Sequence, residues 1–179
     1  MFTRLRPVIA VCAVAVALCG CAASPEPADP SPVFTSEADA FAAAEETYRA
    51  YVDALNQVDL SDPETFEAVY AWTTGEANAG ARKSFSQMHA DGWQVTGPTT
   101  IDLAEPRAAP EDAPWLVELY VCQNVEQVSV TSATGESVVA PDRRNVHAMV
   151  LQLSASSASS TGLLIALISG REGSPSCAA

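Results

Sequence analysis

The chain is poor in cations and poorer still in residues that bind metals. Its 179 residues carry nine Lys and Arg against 22 Asp and Glu, a formal charge of −13, and Lys83 is the only lysine. A surface with that balance repels phosphates, which argues against nucleic acid as a partner and leaves no polybasic patch for acidic lipid headgroups. His89 and His147 are the only histidines. Neither lies at ligand spacing from another His or Cys, so no metal site and no cofactor is expected. A Gly-rich phosphate loop, a Gly-x-Ser-x-Gly elbow and a zinc-protease helix are all missing. The one long apolar run, Val8 to Leu18, falls short of the roughly 20 residues that a spanning helix needs.

That run is nevertheless the most informative stretch. Arg4 and Arg6 precede it, and Leu18-Cys19-Gly20-Cys21 follows, giving a basic region, an apolar region of secretory length and a small residue before a cut. The junction resembles a bacterial lipoprotein signal, in which the Cys after a Leu and two small residues is lipidated and becomes the first residue of the mature chain. The resemblance implies residues 1–20 as signal peptide, Cys21 as the acylated residue, and an exported protein held on the outer face of the cell membrane. A plain signal would instead end in an Ala-x-Ala-like site, for which Cys21-Ala22-Ala23 is the weaker match.

Removal of residues 1–20 leaves 159, enough for one domain with its own core. All 22 acids remain while Arg4 and Arg6 leave, so the formal charge moves to −15. Residues 21–35 form a tether, with Pro25, Pro27, Pro30 and Pro32 making it extended and semi-rigid. The folded part is residues 36–179. Cys12 and Cys19 go with the signal and Cys21 is consumed by lipid, so the domain keeps Cys122 and Cys177. In an exported domain two thiols suggest one disulfide, the alternative being two unpaired cysteines.

Ser36 with Asp39 three residues on reads as a helix cap. Phe41, Ala44, Tyr48, Tyr51, Leu55 and Val58 then recur at helical steps. Asp62 before Pro63 caps a second, short helix with Phe66, Val69 and Tyr70. Thr73 with Glu76 opens a third, striped by Ala77, Ala81, Phe85 and Met88 and stopped by Gly92. Beyond Gly92 the period becomes 2. Trp93 and Val95 alternate, as do Thr99, Ile101 and Leu103, while residues 104–114 hold three Pro and three acids and read as a loop. The most regular strand runs from Trp115 to Cys122, with Trp115, Val117, Leu119 and Val121 on the face toward the helices. Gly135 marks a turn. Strands from Val146 to Leu153, with Val146 and Ala148 inward, and from Leu163 to Ile168 complete the sheet. The expected fold class is α+β: three N-terminal helices packed on a curved antiparallel sheet of about four to six strands.

Helices first, then Gly92-Trp93-Gln94-Val95-Thr96-Gly97, a long strand bearing Cys122, a Gly-turn hairpin at Gly135 and a Cys in the tail together resemble actinobacterial lipoproteins of the nuclear-transport-factor-2-like (cystatin-like, SnoaL-like) superfamily. The likeness spans residues 37–179. Asn124 stands where that family usually has Asp, and Leu163-Leu164 where a Trp is common. The resemblance implies a cone, its sheet wrapping the first helix around a pocket. Tyr48, Tyr51, Tyr70, Trp93 and Trp115 are the candidate lining, although aromatics at helical spacing serve equally as plain core. Such cones carry both enzymes and adaptor domains, so function must come from the site.

The alternation turns Glu118 and Asp102 away from the helices unless a bulge reverses them. An apolar cavity without an ionisable group holds a ligand but moves no proton. The expectation is therefore a non-catalytic envelope domain that binds a small apolar ligand or an envelope protein, with no catalytic residue assigned. The alternative is a cone-fold isomerase, dehydratase or hydrolase acting on a small apolar substrate, with Asp102, Glu118 or a tyrosine of the first helix as acid or base.

Overall fold

The computed structural model describes residues 34–177. The signal peptide, Cys21 and nearly all of the 21–35 tether lie outside the described residues. Helix α1 (Glu37–Leu55) starts where the Ser36 hydroxyl accepts from the Asp39 amide at 3.1 Å, and Glu37 and Asp39 sit in its positive first turn. Ala44, Tyr48 and Val52, four apart, form its buried stripe. Asn56 closes it and grips the next layer, donating from Nδ2 to the Thr99 carbonyl at 2.9 Å and accepting from the Thr99 amide at 2.8 Å. Val58 lies past the helix end and joins a different cluster.

Asp62 caps as the sequence suggests, its carboxylate accepting from the Glu64 amide, and Pro63–Phe66 form a 3-10 turn that runs into α2 (Glu67–Tyr70). Helix α3 (Gly75–Ala90) begins one residue later than a Thr73 cap requires. Thr73 is taken by the sheet instead: it bridges Ile165, and the Thr74 amide donates to the Ile165 carbonyl at 2.8 Å. Gly92, at φ +66°, ends α3 while the Trp93 amide reaches back to the Met88 carbonyl.

The strands are β1 (Gln94–Thr96), β2 (Thr100–Ala108), β3 (Val117–Asn124), β4 (Ser129–Thr131), β5 (Val146–Ala155) and β6 (Leu163–Gly170). The four long ones form an antiparallel sheet in the order β2-β3-β5-β6, and β1 pairs with β4 in a separate ribbon. The chain is thus α+β, with three helices against an antiparallel sheet, an arrangement consistent with a cone. Three details differ from the sequence reading. Strand β2 runs through residues 104–108, because at the sheet edge the missing N–H of Pro106 faces no partner strand. Strand β3 begins at Val117, leaving Trp115 in the approach. In β5 the inward set is Met149, Leu151 and Leu153, opposite Val121, Leu119 and Val117, so Val146 and Ala148 face away and His147 lies on the helix side.

Two cores result. Between α1 and the sheet, Tyr48, Leu119, Val121, Leu151, Leu153, Leu163 and Ile165 are fully buried in one cluster. Each large side chain among them contributes about 1.5–3 kcal/mol. Phe66, Val69, Tyr70 and Phe85 form the second, with the Phe66 and Phe85 rings 5.2 Å apart and Trp93 and Val95 packed alongside. On the outer face Cys122 is bonded to Cys177, with 5.5 Å between Cα atoms, pinning the C-terminal segment across the sheet.

Candidate functional site

The cone interior is packed core. Tyr48, fully buried, occupies it, its ring 6.2 Å from Tyr51 and its hydroxyl 3.4 Å from Gln123 Oε1. Burial raises the pKa of both tyrosine hydroxyls above the ordinary value. The five aromatics do not converge on one cavity. Tyr51 borders a depression against α3 and β6, Tyr70 one beside Arg82, and Trp93 a third, larger groove, while Tyr48 and Trp115 line none of these. Trp115 is half-buried, with its indole N–H unpartnered.

The two carboxylates lie apart from all of them. Asp102 is the extra residue of a bulge, between the pairs Ile101–Gln123 and Leu103–Cys122; it is exposed and accepts from Asn124 Nδ2 at 3.1 Å. Glu118 sits between Arg107 and Gln152 in register, on the face away from the helices. Neither reaches Tyr48. His89 Nδ1 is 2.7 Å from the Leu60 carbonyl. Among the described residues no group of three His, Cys, Asp or Glu side chains is arranged to hold a metal ion.

The largest cavity described is an open groove of about 900 Å³ at the end of β5. It exists because β6 is the shorter strand here. Gly170 pairs with Met149 and the Arg171 amide donates to the Ala148 carbonyl at 3.0 Å, after which Val146 and His147 continue without a partner on that side. Met88, Trp93 and Val130 reach it from α3, the α3–β1 link and β4, Val138 to Ala140 from the hairpin, and Arg143, Arg144, Arg171 and Glu172 from its flanks.

Its arginines differ from those elsewhere in the described residues. Elsewhere Arg49 pairs with Glu45 at 3.2 Å, Arg82 with Glu67 at 3.5 Å and Arg107 with Glu105 at 2.8 Å. Among the described residues, Arg143, Arg144 and Arg171 have no carboxylate within 4 Å, and all three line the groove. Arg143 is half-buried and structural in part, donating to the Val125 and Val128 carbonyls at 2.9 and 3.0 Å. Arg171 lies over the Tyr120 ring at 5.0 Å and donates to the Gly173 carbonyl, but its buried Nε has no acceptor. Arg144 is exposed, and its guanidinium makes no hydrogen bond among the described residues. His147, also exposed, holds Nε2 3.0 Å from the Arg144 carbonyl. An apolar floor with guanidinium donors at its rim can orient an anionic or polar group and hold an apolar body.

No family model, curated protein or solved structure matches the chain.

Proposed function

We propose that this protein is an exported lipoprotein, anchored through acylated Cys21 to the outer face of the cell membrane, whose domain is a non-catalytic binding module of the nuclear-transport-factor-2-like type. The observation that carries the binding half is the groove at the end of β5: a large, mostly apolar concavity holding every described arginine that lacks an acidic partner. Charges left unpaired in an acidic chain fit a surface that receives a ligand. The anchoring half rests on the Leu18-Cys19-Gly20-Cys21 junction and on the proline-rich stretch that follows it. No described helix is long and apolar enough to cross a membrane; the proposed attachment is through the acyl chains of Cys21.

The binding half is tested with the chain expressed from residue 22, which retains the whole compact unit. The neutral apolar dye Nile red should saturate one site on the native protein, and Met88→Trp, which fills the inner wall of the groove, should weaken it. Dye fluorescence that rises only as the protein unfolds would refute the reading.

A further inference from the structure

Beside the groove lies a second, more enclosed cleft of about 470 Å³, reaching from the end of α1 across α3 to the β1–β4 ribbon. Its walls are apolar: Leu55, Val58, Leu60, Phe85 and Val95 stand among them, and no charged side chain lines it. Its one amide side chain, Asn56, is already committed to the Thr99 backbone. Met88 and Val130 line both cavities, so the uncharged cleft adjoins the cationic groove.

We infer that the occupant is a single-chain amphiphile with an anionic head: head on the guanidiniums of Arg144 and its neighbours Arg143 and Arg171, chain past Met88 into the cleft. This deepens the binding-module reading and rests on it. A neutral apolar molecule would use the cleft and leave the three guanidiniums without an anion; an acidic peptide would use the groove and leave the cleft empty. Only an anionic head on an apolar chain matches both. The net charge of the chain opposes an anion at long range, but beyond about 8 Å that repulsion is screened at physiological salt, whereas contact with a guanidinium at an apolar surface is not. Each methylene buried in the cleft should tighten binding roughly fourfold, until the cleft is full.

The experiment is calorimetric titration of residues 22–179 with decanoate, decyl phosphate, decanol and decyltrimethylammonium, each below its micelle concentration. One equivalent of decanoate or decyl phosphate should bind, with decanol and the ammonium at least roughly tenfold weaker, and octanoate weaker than decanoate. The better of the two anions identifies the head as carboxylate or phosphate, and either result supports the inference. Arg144→Gln should weaken the anion roughly tenfold, about 1.4 kcal/mol, with decanol binding and thermal unfolding unchanged. Met88→Trp should weaken decanoate and decanol alike. Equal affinity for decanol and decanoate, or an Arg144→Gln variant with undiminished affinity, overturns the anionic head and leaves a binding module of another specificity. No binding by any of the four probes overturns both readings.

Discussion

Gly97 and Gly135 make a matched pair on which the described packing can be tested quantitatively. Both adopt left-handed backbone, φ +83° and +84°. A Cβ at Gly135 meets no heavy atom within 4 Å, whereas one at Gly97 would lie 1.9 Å from the Gln127 carbonyl oxygen and 2.8 Å from its carbon. Gly135→Ala therefore carries only the left-handed penalty, about 1–2 kcal/mol. Gly97→Ala adds displacement of the backbone that links β3 to β4, an overpacking cost of about 1–3 kcal/mol. At about 2–4 °C per kcal/mol, the transition temperatures should fall by roughly 2–8 °C for Gly135→Ala and 4–20 °C for Gly97→Ala, with Gly97→Ala the lower of the two. Thermal unfolding of residues 22–179 by circular dichroism, with urea titration as a check, measures both. Gly97 and Val128 line the uncharged cleft. Gly97→Ala should thus also weaken decanoate, which Gly135→Ala should not. Equal losses of stability in the two variants would show that the 97–127 approach is not as described.

The bond between Cys122 and Cys177, 55 residues apart in sequence, should stabilise by about 4 kcal/mol through the unfolded state; thiol labelling of the unfolded, unreduced chain should find no free thiol, and the double Ala variant should melt roughly 8–16 °C lower. Tyr48 and Tyr51 have folded-state pKa values raised by burial. Their contribution is therefore complete below the ordinary tyrosine value of 10.0 and is lost as pH climbs beyond it. Urea midpoints should fall above about pH 10, and less steeply in Tyr48→Phe; a parallel decline in that variant would be contrary evidence. Cys21→Ala should move the full-length protein from the membrane pellet to precursor or medium, while unchanged fractionation and an unaltered N-terminal peptide mass would speak against acylation.

The helices were legible because their signals are local. The Ser36 cap, the Tyr48 stripe and the Asp62-Pro63 start need only near neighbours, and each forms as the pattern implies. Thr73 failed as a cap because its backbone is claimed by Ile165, more than ninety positions away. Pro106 was misleading for a related reason: proline is tolerated in β2 only because β2 lies at the edge, and strand order is not written in the local pattern. The inward set of β5 is fixed by its register with β3, and Val146-His147-Ala148 by itself reads equally well either way. The groove was the least visible feature. Its residues come from four separate stretches, and it exists because β6 stops two pairs short of His147. Arg49 announces its partner Glu45 at helical spacing, but that Arg143, Arg144 and Arg171 line one groove with no described carboxylate within 4 Å of them follows only from the fold. Of the candidate aromatics, Tyr48 fills the core, Tyr51 and Tyr70 border separate depressions, and Trp93 lines the groove.

The most direct test of the binding site is chemical-shift mapping of isotope-labelled residues 22–179 during titration with decanoate. The Met88, Val130 and Met149 methyls and the Trp93 indole should shift saturably, with the Arg144 side chain moving alongside them, while the buried methyls of Leu119 and Leu151 stay fixed. Saturable shifts centred on Leu119 and Tyr48 would return the ligand to the cone interior, and a titration that moves no resonance would remove the site altogether.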